Sequence, residues 1–218
     1  MSALPVPPLA NVVVDFIIKG GPIMYPILVV GVVAVCVVVE RVFWWLRLGF
    51  GRKARLLEDV YTALDQGDMT RAISLSKDST DPVVRMVHHG LNHQHSSMQG
   101  ALEVAAGHEL QAAGRFLGAM DTIVTLGPLL GLLGTVTGIM GSFTSIGDSE
   151  LAVEKVTGGI GEALIATAAG LGIAITTLIP MNYFHSRLAA LKFDLEAAAN
   201  NVLILAAQHG FDKVAAKH

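Results

Sequence analysis

Thr122–Gly147 reads TIVTLGPLLGLLGTVTGIMGSFTSIG and contains no Asp, Glu, Lys or Arg. A bilayer core about 30 Å thick is crossed by roughly 20 apolar helical residues, so this stretch is long enough to span one with some tilt. Two further windows, 20–39 and 163–186, are equally free of these four residues. Over the whole chain 52% of the 218 residues are hydrophobic and 15% are charged, with a mean hydropathy of +0.57. An average globular chain carries about 25% charged residues. The composition is that of a membrane protein and excludes intrinsic disorder. A net charge of -3 and the absence of any Lys/Arg run leave no basic surface for phosphate contacts, so no nucleic-acid partner is expected. Cys36 is the single cysteine, so an intramolecular disulfide is excluded. Lying among valines, it is expected to be a packing residue rather than a reactive thiol.

Three spans follow, and with them an all-α integral membrane helix bundle with a helical cytoplasmic part. The first covers residues 23–46; Glu40 and Arg41 lie near its end, at snorkelling distance from the interface or within reach of a neighbouring helix, and Phe43, Trp44 and Trp45 mark the boundary. The second covers 122–146 and the third 158–184. Lys and Arg counts orient them: Arg47, Arg52, Lys53, Arg55, Arg115, Arg187 and Lys192 flank one side, against Lys19 and Lys155 on the other. The positive-inside rule then makes 47–121 and the tail 185–218 cytoplasmic, with residues 1–22 and the short link 147–157 periplasmic. The N-terminus lacks a basic n-region and is broken by Pro5, Pro7 and Pro8, unlike a cleaved signal peptide. Val12–Ile18, with Asp15 inside it, is too short to span and is expected to lie along the outer interface as a short amphipathic helix.

Within 47–121, Leu56, Leu57, Val60, Tyr61 and Leu64 recur at helical spacing over Arg52–Gln66, and Gly67 is a stop signal. Asp68 is placed to cap a second helix through about Ser76, and Asp81 with Pro82 opens a third. Beyond it little except glycine interrupts the pattern, so the last cytoplasmic helix is expected to run straight into the second span.

The second span carries small residues at helical rhythm: Gly127, Gly131, Gly134, Thr135, Gly138, Ser142 and Ser145. The third repeats the design with Gly159, Ala163, Ala166, Thr167, Gly170, Ala174 and Thr177. Small stripes let helix backbones approach closely, which assigns Gly127, Gly131, Gly134, Gly138 and Gly170 to helix packing. A membrane threonine commonly bonds its own i−4 carbonyl, yet facing stripes with Thr135 and Thr167 could also line a narrow polar path. Glu162 stands at the edge of the third window. It is either an interfacial acid beside Glu154 and Lys155 or a buried group able to exchange a proton, since acids inside spans cost about 2.5 to 3.5 kcal/mol and are usually functional or paired. On an ideal helix Glu162 and Thr167 lie about 140° apart, so a shared path has to wind or run between helices.

Other chemistry is weakly represented. His88, His89, His93 and His95 include an i, i+4 pair, but no nearby carboxylate or cysteine completes a metal site, and a solvated surface is the simpler reading. His108 and Glu109 begin an HExxH pattern that fails at Ala112. Neither a G-x-S-x-G elbow nor a GxxxxGK[ST] loop occurs. No enzyme activity, cofactor or metal is therefore expected.

The run Gly131-Leu132-Leu133-Gly134-Thr135-Val136-Thr137-Gly138-Ile139-Met140, ending in Phe143, resembles the second-span signature of the ExbB/TolQ/MotA proton-channel family. Gly158–Leu171 (GGIGEALIATAAGL) resembles the start of that family's third span, and Gly20–Pro26 with Glu40-Arg41 its first. The likeness covers nearly the whole chain and is closest to the ExbB/TolQ branch. It implies a homopentameric bacterial inner-membrane motor subunit around an ExbD/TolR-like single-span partner with a protonatable Asp, working with a TonB- or TolA-like transducer. It also implies a proton pathway through Thr135, Glu162 and Thr167. Where the family commonly has Ile-Pro, this chain has Ile175-Thr176, with a proline at Pro180. Thr176 is an extra hydroxyl that either joins the path or bonds back to its own helix. A scaffold without proton conduction is the alternative, because the small stripes alone would serve it.

Overall fold

The computed structural model describes residues 19–51, 54–93, 97–144 and 152–211. The expected interfacial helix at Val12–Ile18, residues 147–151 of the link, Ser145 and His95 lie outside them. Every regular element among the described residues is a helix: α1 Met24–Gly51, α2 Ala54–Asp65, α3 Met69–Ser76, α4 Pro82–Asn92, α5 Met98–Ala113, α6 Leu117–Thr144 and α7 Ala152–Gln208. Three stretches are long and apolar enough to cross a membrane, Met24–Gly49 and parts of Met98–Phe143 and Val156–Gln208. The chain is an all-α membrane protein. It divides into two compact bodies, Met1–Glu40 with Phe116–Asn182, and Arg41–Arg115 with Tyr183–His218.

In the first body, Met24, Ile27 and Ala166 form a buried cluster, with Ile23, Leu130, Ile165, Ala169 and Ile173 packed against it. Helices α6 and α7 meet along their small residues, so backbone fills the space that side chains fill elsewhere. A Cβ on Gly127 would stand 2.7 Å from the Gly170 carbonyl oxygen, one on Gly131 2.9 Å from Thr167 Cα, and one on Gly138 2.9 Å from the Gly159 carbonyl oxygen. The outward faces are apolar: Val29, Val32, Leu129, Leu132, Met140, Leu164 and Ile179 are all exposed in the single chain, as lipid or a neighbouring subunit requires. Cys36 belongs to such a face. It is exposed in the single chain, because the valine run is apolar all round and only one side of α1 is covered.

The second body is built differently. Helix α3 is capped by Asp68, whose carboxylate accepts from the Arg71 N–H, and α4 by Asp81, which accepts from the Val83 N–H with Pro82 in the first turn. Their buried faces are side chains: Val60 and Leu64 of α2, Met86, Val87 and Leu91 of α4, Met98 and Leu102 of α5, and Leu191, Leu195 and Val202 of α7 are at most 1% exposed. Tyr61 is half-buried here, and burial pushes its phenol above the ordinary value of 10.0; a hydrogen bond with Asn201 acts the other way.

Contrary to expectation, helix α5 does not run straight into α6, the helix of the second span. Helix α5 ends at Ala113 with Gly114 as its cap, and Phe116 takes a left-handed backbone (φ 64°) before α6 begins. Arg41 accounts for the stop. Its side chain is 1% exposed, and Nη1 donates to the Ala112 and Ala113 carbonyl oxygens at 3.2 and 3.4 Å, two groups a helix end leaves without helical partners. Arg41 is thus buried and engaged with a neighbouring helix, not snorkelling.

Candidate functional site

Glu162 lies in the first body on α7, within the candidate span that begins at Val156. It lines a groove of about 640 Å³ together with Pro22, Ile23, Thr137, Gly138, Gly141, Ser142, Gly158 and Gly159. The groove exists because glycine forms its walls. Gly21 turns with φ 67°, a conformation natural to glycine, and a Cβ there would overlap the Glu162 carboxylate. Gly159 likewise has room only for hydrogen against Ser142 Oγ.

The hydroxyls differ in what they do. Thr137 Oγ1 donates to the Leu133 and Gly134 carbonyl oxygens at 3.0 and 3.2 Å, and Ser142 Oγ donates to that of Gly138 at 2.8 Å. Each keeps acceptor lone pairs, so a groove with two hydroxyls and one carboxyl group can hold water and pass protons among oxygens. Sequence reading placed Ser142 in the packing stripe and gave Thr137 no role. The signal was present, since Thr137, Gly138, Gly141 and Ser142 share one helix face, as do Gly158, Gly159 and Glu162.

Of the four residues expected on a proton path, only Glu162 lines this groove. Thr167 reaches across the helix pair: its Oγ1 donates to the Gly131 carbonyl oxygen at 3.0 Å and to that of Ala163 at 3.1 Å. Thr135 bonds the Leu132 carbonyl oxygen at 2.7 Å. Thr176 is exposed and bonds back to the Gly172 and Ile173 carbonyl oxygens at 2.8 and 3.1 Å, while α7 continues helical through Pro180. Glu162 and Thr167 stand about 7.5 Å apart along the helix axis, so the single chain brings them onto one element without bringing them together.

Gly127, Gly131, Gly134, Gly138 and Gly170 all stand at the α6–α7 approach, Gly134 also meeting Ile23 of the turn before α1. Among the described residues no three His, Cys, Asp or Glu side chains converge as a metal site. Glu109, half of the failed HExxH pattern, is paired with Arg85 at 2.5 Å.

The sequence that folds into these three apolar helices and the glycine-walled groove has relatives. The putative biopolymer transport protein ExbB-like 3 of Synechocystis is 38% identical over 174 residues, covering 77% of this chain and 82% of that protein. ExbB-like 1 of the same organism is 32% identical over 199 residues, covering 88% and 77%. The biopolymer transport protein ExbB of Neisseria gonorrhoeae is 33% identical over 96 residues, covering 42% and 44%. The family model described as the MotA/TolQ/ExbB proton channel family matches residues 78–197, more than half of the sequence, and the chain belongs to that family.

Proposed function

We propose that the chain is the channel-forming subunit of a bacterial inner-membrane motor that uses the proton motive force to drive a partner complex acting on the outer membrane. The observation that carries this reading is the Glu162 groove: a carboxylate inside an apolar helix, set against Gly21 and sharing space with the Thr137 and Ser142 hydroxyls. A scaffold built on small-residue stripes alone has no use for a carboxyl group facing a groove near the start of an apolar span. Among the described residues the candidate spans offer no aspartate in their apolar windows, which fits a partner of the ExbD/TolR type that brings its own. The exposed apolar faces fit a ring of copies, which we take as five, and a TonB- or TolA-like protein would receive the work. Each proton crossing 100 mV releases about 2.3 kcal/mol, enough to bias a step between equivalent positions in such a ring. On this reading residues 47–121 and 185–218 are cytoplasmic and the N-terminus is periplasmic. Thr135 and Thr167 shape the path, the latter by holding α6 against α7.

The test is proton uptake into vesicles carrying the chain with its partner. Glu162→Gln and Thr167→Ala are expected to abolish uptake and energy coupling while the complex still co-purifies. Full coupling in both variants would overturn the assignment and favour the scaffold.

A further inference from the structure

We propose that His89 and His93 form a two-histidine site for a borderline divalent metal ion of the Zn2+, Ni2+ and Cu2+ class. The pair closes helix α4, with His93 as its C-cap, and its i, i+4 spacing sets both rings on one face. The Nδ1 atoms are 3.1 Å apart and the rings stack at 4.5 Å between centroids. Two imidazole nitrogens at about 2.0–2.1 Å from one ion stand roughly 2.9 Å apart in octahedral and 3.4 Å apart in tetrahedral coordination. The observed separation is that of a hydrogen bond and also falls between these values, so the two nitrogens reach one ion once the proton between them leaves and the stacked rings turn their lone pairs toward it.

The surroundings fix which histidine is excluded. His88 Nδ1 is 2.9 Å from Ser76 Oγ and its Nε2 is 2.9 Å from Asn92 Nδ2, so both of its nitrogens are engaged. That network braces the last turn of α4 against the end of α3. All of these residues line a cleft of about 480 Å³ that also holds Asp78, Ser79, Lys77 and Arg85. The Asp78 carboxylate offsets the two cations there, and Arg85 is further neutralised by Glu109. His93 Nδ1 lies 2.8 Å from the His89 carbonyl oxygen and so carries the proton in the metal-free chain, with His89 Nδ1 accepting. Metal binding moves that proton to His93 Nε2 through solvent, a change of tautomer with no change of net charge. With two protein ligands, water completes the shell, which makes the site exchangeable rather than structural.

The experiment uses the full chain in detergent with any affinity tag removed, titrated with Zn2+ by calorimetry and with Cu2+ by electron paramagnetic resonance. One saturable equivalent with hyperfine coupling to two nitrogens is expected. His89→Ala and His93→Ala each weaken binding by more than about 10-fold, whereas His108→Ala, at an exposed position outside the cleft, leaves it unchanged. Both ligand positions are exposed, so the variants keep the thermal unfolding profile of the parent chain. Wild-type affinity weaker than about 1 mM, or equal affinity in either variant, overturns the proposal.

Discussion

The two bodies of this protein solve the packing problem in opposite ways. Between α6 and α7 the contact is backbone on backbone, with glycines where a core would carry leucine. In the body of α2–α5 and the C-terminal part of α7 the contact is between large side chains such as Met86, Leu91, Leu102 and Leu195, all essentially without exposed surface. On the proposed topology the difference follows from the solvent. Lipid gives apolar side chains no reason to prefer each other, so helices gain by close approach and weak backbone contacts. Water drives apolar surface together, at roughly 25 cal/mol per Å², so large side chains are worth burying.

Three experiments bear on this contrast. The largest effect is expected from Gly170→Val. Its Cβ overlaps the Gly127 carbonyl oxygen and presses on Gly131 Cα, and neither can move aside. The helices must separate along their length, so monodisperse protein should be lost on size-exclusion chromatography in detergent; normal recovery would mean the approach is looser than described. Next is Leu102→Ala, which empties the space over Gly90 and should destabilise the side-chain-packed body by roughly 2–5 kcal/mol in a denaturant titration. Restoring volume from the other side with Gly90→Ala in the same chain should recover part of that loss. The same exchange across Gly170 and Gly127 cannot work, because both partners there are backbone. The smallest effect is in pH. Tyr61 titrates higher when folded than when unfolded, so its contribution is intact below about 10 and is lost as pH rises through the folded value. Tyr61→Phe should therefore flatten the alkaline limb of thermal stability, and an unchanged limb would remove Tyr61 as its cause.

Local signals in the sequence carried a good part of the fold. Asp68 and Asp81 were readable as caps because capping is settled within three residues, and the small stripes were readable because helical periodicity is. The break at Gly114–Phe116 was not, because a left-handed phenylalanine has no compositional signature and its cause, Arg41, is 71 residues away from Ala112 along the chain. The Glu162 environment was half legible. The acid itself stood out against an apolar window, while Thr137 looked like one hydroxyl among several until the facing helix placed it on the groove. For Cys36, a run of valines does not reveal which side will be covered, and the thiol is exposed in the single chain.

The glycine stripe has one more consequence, which concerns uniqueness rather than strength. Small residues recur on both helices about once per turn, so sliding α6 against α7 by one turn would again set small on small, Gly138 near Thr167 and Ser142 near Ala163. Repetition of this kind leaves sequence alignment between the two helices ambiguous. The Thr167 bond to the Gly131 carbonyl and the Ser142 hydroxyl wedged at Gly159 break that degeneracy. The hydroxyls thus act as registration marks, selecting one of several nearly equivalent pairings and thereby fixing which residues of α6 share the groove with Glu162.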